Sequence, residues 1–345
     1  MPQKRITTAY ILVLLSVSAV LLPAMMLSCA REGSLQNGIV SGPSGELTLL
    51  PVGSKNTYGT RAVSEGGLMP ESYVIYTSAY LTDTGEPENT GNYITACEFR
   101  HRSGNIWASS PKTYWPFHGK LDFLAVATDP VAMPIKTGMA FTARNTDGVT
   151  VTVPENDASA EILYAYDFPG SNDHASPEDL LFHHTQACVT FRVKSVVKGI
   201  NRLDGITLDK VCTAGILHIA THSLTPSEEV VWEYDEAAGH SFAIGGIPSG
   251  GLKLNDTDWH TQDIALLPQD KSNFSLSFSQ CTYDGNDWAT VVPFTVRYNG
   301  ASGKWEMGKR YIYNLTLNPE HITFSLTVED MESGETETVY PTEVL

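Results

Sequence analysis

Ala187-Cys188-Val189-Thr190-Phe191-Arg192-Val193-Lys194 sets apolar side chains at 187, 189, 191 and 193 against polar ones at 190, 192 and 194. A period of two sends neighbouring side chains to opposite faces, so the stretch reads as a strand with one face in a core. Working outward, the same kind of segment recurs between turns rich in Gly, Asn, Asp and Pro. Upstream are Glu46 to Val52, Ser72 to Leu81, Tyr93 to Arg100, Leu121 to Ala127, Val149 to Val153 and Glu161 to Tyr166. Downstream are Gly215 to Ala220, Val230 to Tyr234, His240 to Ile244, Asp263 to Leu267, Asn273 to Phe278, Thr290 to Tyr298, Tyr311 to Leu317 and Ile322 to Val328. Leu121-Asp122-Phe123-Leu124-Ala125-Val126-Ala127 is nearly all apolar, as a strand buried on both faces would be. Ser103-Gly104-Asn105 reads as a hairpin turn. No segment keeps a helical period for ten residues; Ser176-Pro177-Glu178-Asp179 predicts only a turn or two, with Ser as N-cap and acids in the first turn. The expected fold is all-β, with two tandem β-sandwich domains that meet near Ser171 to Leu181.

The first residues read as a targeting segment. Lys4 and Arg5 precede the apolar run Ile11 to Leu22, which is too short for a comfortable membrane span. The run leads into Leu27-Ser28-Cys29, similar to the lipobox of bacterial lipoproteins, which implies a diacylglycerol on Cys29 and cleavage before it. Several acyl chains bury enough CH₂ groups for a stable anchor where one does not. The expected divisions are a signal peptide over 1–28, a tether with a first strand and propeptide over 29–61, and sandwich domains over 62–178 and 179–345.

The formal charge of −17 becomes −19 once Lys4 and Arg5 leave with the signal. Such a chain lacks the clustered Lys and Arg that a nucleic acid or an anionic lipid surface requires. Cys97, Cys188, Cys212 and Cys281 show no metal-type spacing and read as buried thiols, with one disulfide left open.

Catalytic fingerprints are missing: there is no G-x-S-x-G, H-E-x-x-H, P-loop or dinucleotide pattern. His183 and His184 are adjacent in a strand, so they point to opposite faces and do not share an ion. Asp256, Asp258, Asp284 and Asp287 lie in turn-rich stretches without calcium-loop spacing. Trp107, Trp115, Trp232, Trp259, Trp288 and Trp305 suit core packing better than a sugar platform. No enzyme activity, cofactor or metal is expected.

Three stretches together resemble the fimbrillin, or Mfa-like, family of type V pilus subunits and related surface lipoproteins. They are Thr113-Tyr114-Trp115-Pro116 followed by Leu121 to Ala127, Leu181-Phe182-His183-His184 through Val193, and Trp305 to Gly308 followed by Tyr311 to Leu317. The resemblance implies transthyretin-like sandwich domains, a cell-surface or fimbrial location on the outer membrane, and other pilin subunits as partners. It also implies an Arg-specific protease that cuts between Arg61 and Ala62, release of the first strand with its lipid, and donor-strand exchange. The segment Thr336 to Leu345 is then a donor or an ordinary edge strand, and Arg61 a processing site or a plain loop residue. A surface receptor or glycan is a further expected partner, and a non-polymerising glycan-binding lipoprotein is the alternative function.

Overall fold

The computed structural model describes residues 45–53, 69–82, 92–116, 119–141, 148–155, 161–167, 178–196, 200–222, 227–254, 259–261, 263–283, 288–299, 302–318 and 322–339. These residues are almost all β. The first half holds β1 (Thr48–Gly53), β2 (Val74–Thr82), β3 (Asn92–Ser103), β4 (Ile106–Ser109), β5 (Lys120–Thr128), β6 (Met139–Phe141), β7 (Val149–Val153), β8 (Leu163–Asp167) and β9 (Glu178–His184). There follow β10 (Ala187–Ser195), β11 (Ile200–Val211), β12 (Gly215–His222), β13 (Ser227–Glu233), β14 (His240–Ala243), β15 (Leu252–Leu254), β16 (Trp259–His260) and β17 (Ile264–Leu266). The chain closes with β18 (Phe274–Tyr283), β19 (Trp288–Tyr298), β20 (Lys309–Leu317), β21 (Ile322–Asp330) and β22 (Thr336–Val339). The expectation of an all-β chain holds, down to the turn at Ser103-Gly104-Asn105, where Gly104 takes a positive φ of 59° between β3 and β4.

Strands β1, β4, β3, β2, β5, β8 and β9 form a closed barrel in that order. β5 is the wall of two cores, as its nearly unbroken apolar run requires. Leu121, Phe123, Ala125 and Ala127 point into the barrel with Phe99, Trp107 and Trp115. Leu124 and Val126 point outward against Val149, Val151, Leu217 and Ile219. That outer layer is the sheet β13-β12-β7-β6. Its β12–β13 hairpin comes from far along the chain, and β12 pairs antiparallel with β7 from Gly215↔Val153 to Ile219↔Val149.

The remaining strands form two facing sheets, β16-β10-β20-β21-β22 and β14-β11-β18-β19, with β17 on β10 and β15 on β11. Aromatic rings fill the space between them: Phe191 stacks on Tyr313 at 5.0 Å and meets Phe274 edge-on at 5.2 Å. Ala187, Val189, Phe191 and Val193 are buried in this core, as their alternation predicts. The opposite face of β10 is also covered at its start, where Cys188 and Thr190 are buried. Thr190 donates to Asp263, and Arg310 reaches Asp263 at 3.2 Å and Glu329 at 3.1 Å. Cys97, Cys188 and Cys212 are buried thiols.

The helical turn expected at Ser176 to Asp179 is not what the described part of this stretch forms. Glu178 begins β9, which runs parallel to β1 from Leu49↔Glu178 to Gly53↔Phe182. Leu180, Phe182 and His184 are buried while Asp179 and Leu181 are exposed, a period of two. A weak local capping signal yields to a full strand ladder and two buried apolar side chains.

Candidate functional site: the first strand and its groove

β1 lies between two strands from distant parts of the chain. It pairs antiparallel with β4 through Thr48↔Ala108 and Leu49↔Trp107, and parallel with β9. Just before it, Leu47 N–H donates to the Thr113 carbonyl at 2.9 Å and Trp115 N–H donates to the Gly45 carbonyl at 3.1 Å. The alternation within the segment selects which side chains enter the barrel. Leu47 and Leu49 are completely buried against the cluster that holds Trp107, Trp115, Leu180 and Phe182. Leu50 is half-buried and Val52 is exposed.

Polar contacts hold the rim. The Glu46 carboxylate receives Arg102 on one oxygen and Lys112 at 2.9 Å on the other. These hydrogen bonds, from Arg102 first and Lys112 second, hold the Glu46 carboxyl at a pKa of about 2. At the other end, the Asn105 side-chain amide donates to the Pro51 carbonyl at 2.9 Å. The arrangement is a slot lined by backbone donors and acceptors and floored by apolar side chains, filled by a segment of the same chain. An extended strand of any source with apolar residues at alternate positions satisfies the same requirements.

The two histidines that the sequence sets side by side take separate partners. His183 Nδ1 meets Glu332 at 2.9 Å, and His184 Nδ1 meets Glu161 at 2.5 Å in a buried position. Among the described residues no group of His, Cys, Asp and Glu side chains is arranged to hold a metal ion. Of the six tryptophans, Trp107, Trp115 and Trp305 are buried in cores and Trp232 donates its Nε1–H to the Thr185 carbonyl at 2.6 Å. Cys29, Arg61 and Ala62 lie outside the described residues, as do Asp256, Asp258, Asp284 and Asp287. Thr336–Val339 forms β22, an edge strand paired with β21 through Leu326↔Val339 to Glu329↔Thr336; Tyr340 to Leu345 lie outside the described residues. The Glu46 clamp and the parallel neighbour β9 are features that sequence reading misses, because their partners are remote along the chain.

Among the described residues no helix is long and apolar enough to cross a membrane. A search of curated proteins found no match to the sequence. Among solved structures, the chain is similar to a fimbrial protein from Bacteroides vulgatus, at 12% identity and a TM-score of 0.48, over 86% of this chain and 99% of that one. It is also similar to a candidate cell adhesion protein from Bacteroides ovatus, at 15% identity and a TM-score of 0.46, over 87% of this chain and 99% of that one. The assignment rests on sequence: the fimbrillin-like family model matches residues 60–330, from just beyond β1 to the end of β21. The chain therefore belongs to the fimbrillin-like family.

Proposed function

We propose that the protein is a lipid-anchored fimbrial subunit that is cut between Arg61 and Ala62 and then joins other pilin subunits by strand exchange at the slot that β1 fills. Cys29 carries the lipid to the outer membrane, and an Arg-specific protease frees the body of the subunit for assembly and adhesion.

The observation that supports this reading is the placement of β1. It sits between Cys29 and Arg61 in the chain, so one cut at Arg61 parts it covalently from everything that holds it in place. Leu47 and Leu49 are fully buried there, which corresponds to about 1.5–3 kcal/mol each. Ladder hydrogen bonds add about 0.5–1.5 kcal/mol each. Losing the strand leaves a barrel with an open edge and a bare apolar floor, and a donor strand from a neighbour restores both terms. The donor is the end of the chain, Thr336 to Leu345. β22 is held on one side by β21, so little is lost when it peels away.

Digestion of the purified chain with an Arg-specific protease tests the proposal. A new N-terminus at Ala62, followed by a ladder of oligomers on unheated SDS gels, is the expected result. A protein that stays intact at Arg61, or that is cut there and remains monomeric, overturns strand exchange.

A further inference from the structure

We infer that the protein carries a second, separate site: a pocket at the root of the β12–β13 hairpin that binds a neutral sugar unit of a glycan. The pocket does not depend on strand exchange.

The chain crosses there between the facing sheets and the outer layer of the barrel, leaving β11 through Cys212 and returning through Tyr234. A cavity of about 340 Å³ opens between these two crossings and the segment Gln269 to Asn273. Seams of this kind are where small-molecule sites concentrate, and the volume is at the low end of the usual range, sized for one or two sugar rings.

The lining excludes other ligand classes. Two cations, Lys210 and Lys271, face three carboxylates, Asp209, Glu236 and Asp270. This balance has no excess of positive charge to hold a phosphate or sulfate, and the carboxylates form no metal-binding group among the described residues. The lining mixes polar and apolar surface, with Tyr234 as its aromatic side chain and mostly polar side chains around it. A hydroxyl-rich neutral ligand fits: its hydroxyls pair with both donors and acceptors, and its C–H face packs on an aromatic ring.

The site is also built rigidly. Gln269 is buried and clamps the floor, accepting from Cys212 N–H at 2.9 Å and donating to the Cys212 carbonyl at 2.9 Å. Lys271 is held over the Tyr311 ring at 5.0 Å. The β11–β14 register shifts between Leu208 and Val211, and within that bulge Lys210 takes φ +56°. A lysine in the left-handed region is strained where glycine is not, and strain of this kind marks sites where a side chain is aimed at a task. Here the bulge delivers Lys210 to the cavity wall. Burial, with Glu236 nearby, raises the Tyr234 phenol pKa, so its hydroxyl remains a donor.

The test is saturation-transfer NMR on the full chain with galactose, mannose, fucose and N-acetylglucosamine as neutral probes, and inorganic phosphate and N-acetylneuraminate as anionic ones. At least one neutral sugar is expected to bind, with weak affinity typical of a single ring. Tyr234→Ala and Lys210→Gly should each weaken binding about tenfold or more. Lys210→Gly relieves the strained backbone, so its melting temperature should hold or rise, which separates lost binding from lost folding. Silence from every neutral sugar, a response confined to the anions, or binding that survives both substitutions overturns the proposal.

Discussion

Leu49 faces Trp107 across the β1–β4 pairing, and both side chains are completely shielded from water. The first strand is thus packed as a core element, although the strands it pairs with, β4 and β9, lie more than fifty positions further along the chain. Leu49→Ala should cost about 2–5 kcal/mol, from lost transfer energy and a residual cavity beside the indole. Leu50→Ala, on the half-buried side of the same strand, should cost about 1 kcal/mol or less. Urea unfolding of the two variants checks the difference; equal losses would mean that β1 is not seated as described.

The Glu46 clamp makes β1 sensitive to acid. The carboxyl has a pKa of about 2 in the folded protein against an ordinary 4.5. A depressed folded value gives stabilisation that is present above the ordinary value and lost as pH falls through about 2. Glu46→Gln should remove this part of the acid dependence, and high salt should weaken the clamp in the parent protein, since both ion pairs are partly exposed. Denaturation midpoints measured across that pH window, with and without salt, decide it.

The His184–Glu161 pair has the opposite sign. Burial works against the imidazolium, but the Glu161 carboxylate, helped by Glu332 and opposed by Arg310, outweighs it and raises the His184 pKa above 6.5. Its stabilisation is therefore complete below pH 6.5 and is lost as pH rises through the folded value. Glu161→Gln should drop the His184 pKa below the ordinary value, because burial then acts without its main counterweight. An NMR titration of the imidazole reads both; an unchanged value in Glu161→Gln would remove Glu161 as the cause.

Arg310 lies beneath β10 between Asp263 and Glu329. Arg310→Met strands two mostly buried carboxylates and should cost about 3–5 kcal/mol. Lysine carries the charge but not the fork, so Arg310→Lys should recover only part of the loss. Thermal melts of both variants at neutral pH test the order.

Gly148, at φ +70° at the start of β7, packs against β12 so closely that an added Cβ would lie 2.0 Å from the Ile219 carbonyl oxygen. Gly148→Ala combines a disfavoured backbone conformation with displacement of a neighbouring strand and should destabilise by about 2 kcal/mol or more. Hydrogen exchange should speed up first along Leu217 and Ile219. Protection unchanged in that strand would show that β7 and β12 are not in such contact.

Patterns carried by neighbouring residues were legible in the sequence, and patterns carried by distant partners were not. The two-faced burial of β5 follows from its own composition, and the buried face of β10 from its own alternation. β11 escapes detection because Asp204, Gly205, Asp209 and Lys210 interrupt its period, and its pairing with β18 shifts register between Leu203 and Gly205. β9 is misread because Pro177, Glu178 and Asp179 imitate a helix start in the sequence, while the ladder that makes Glu178 and Asp179 extended belongs to β1. The proposed lipidation and cleavage positions come from short motifs and family likeness, and the slot on which the proposal rests becomes visible only when β1, β4 and β9 meet.

The β12–β13 hairpin has a mechanical consequence. It leaves the strands that follow Ala187 to complete the layer outside the barrel, with Leu217 and Ile219 plugged beneath β5. In the assembly proposed above, a subunit anchored at one end and held at the other is loaded in tension by fluid flow. Because the hairpin straps one body to the other, stretching the short connection between β9 and β10 cannot by itself part them. The strap must first be torn sideways from β7, and force spread over two cores before that rupture is what a load-bearing fibre needs from each of its links.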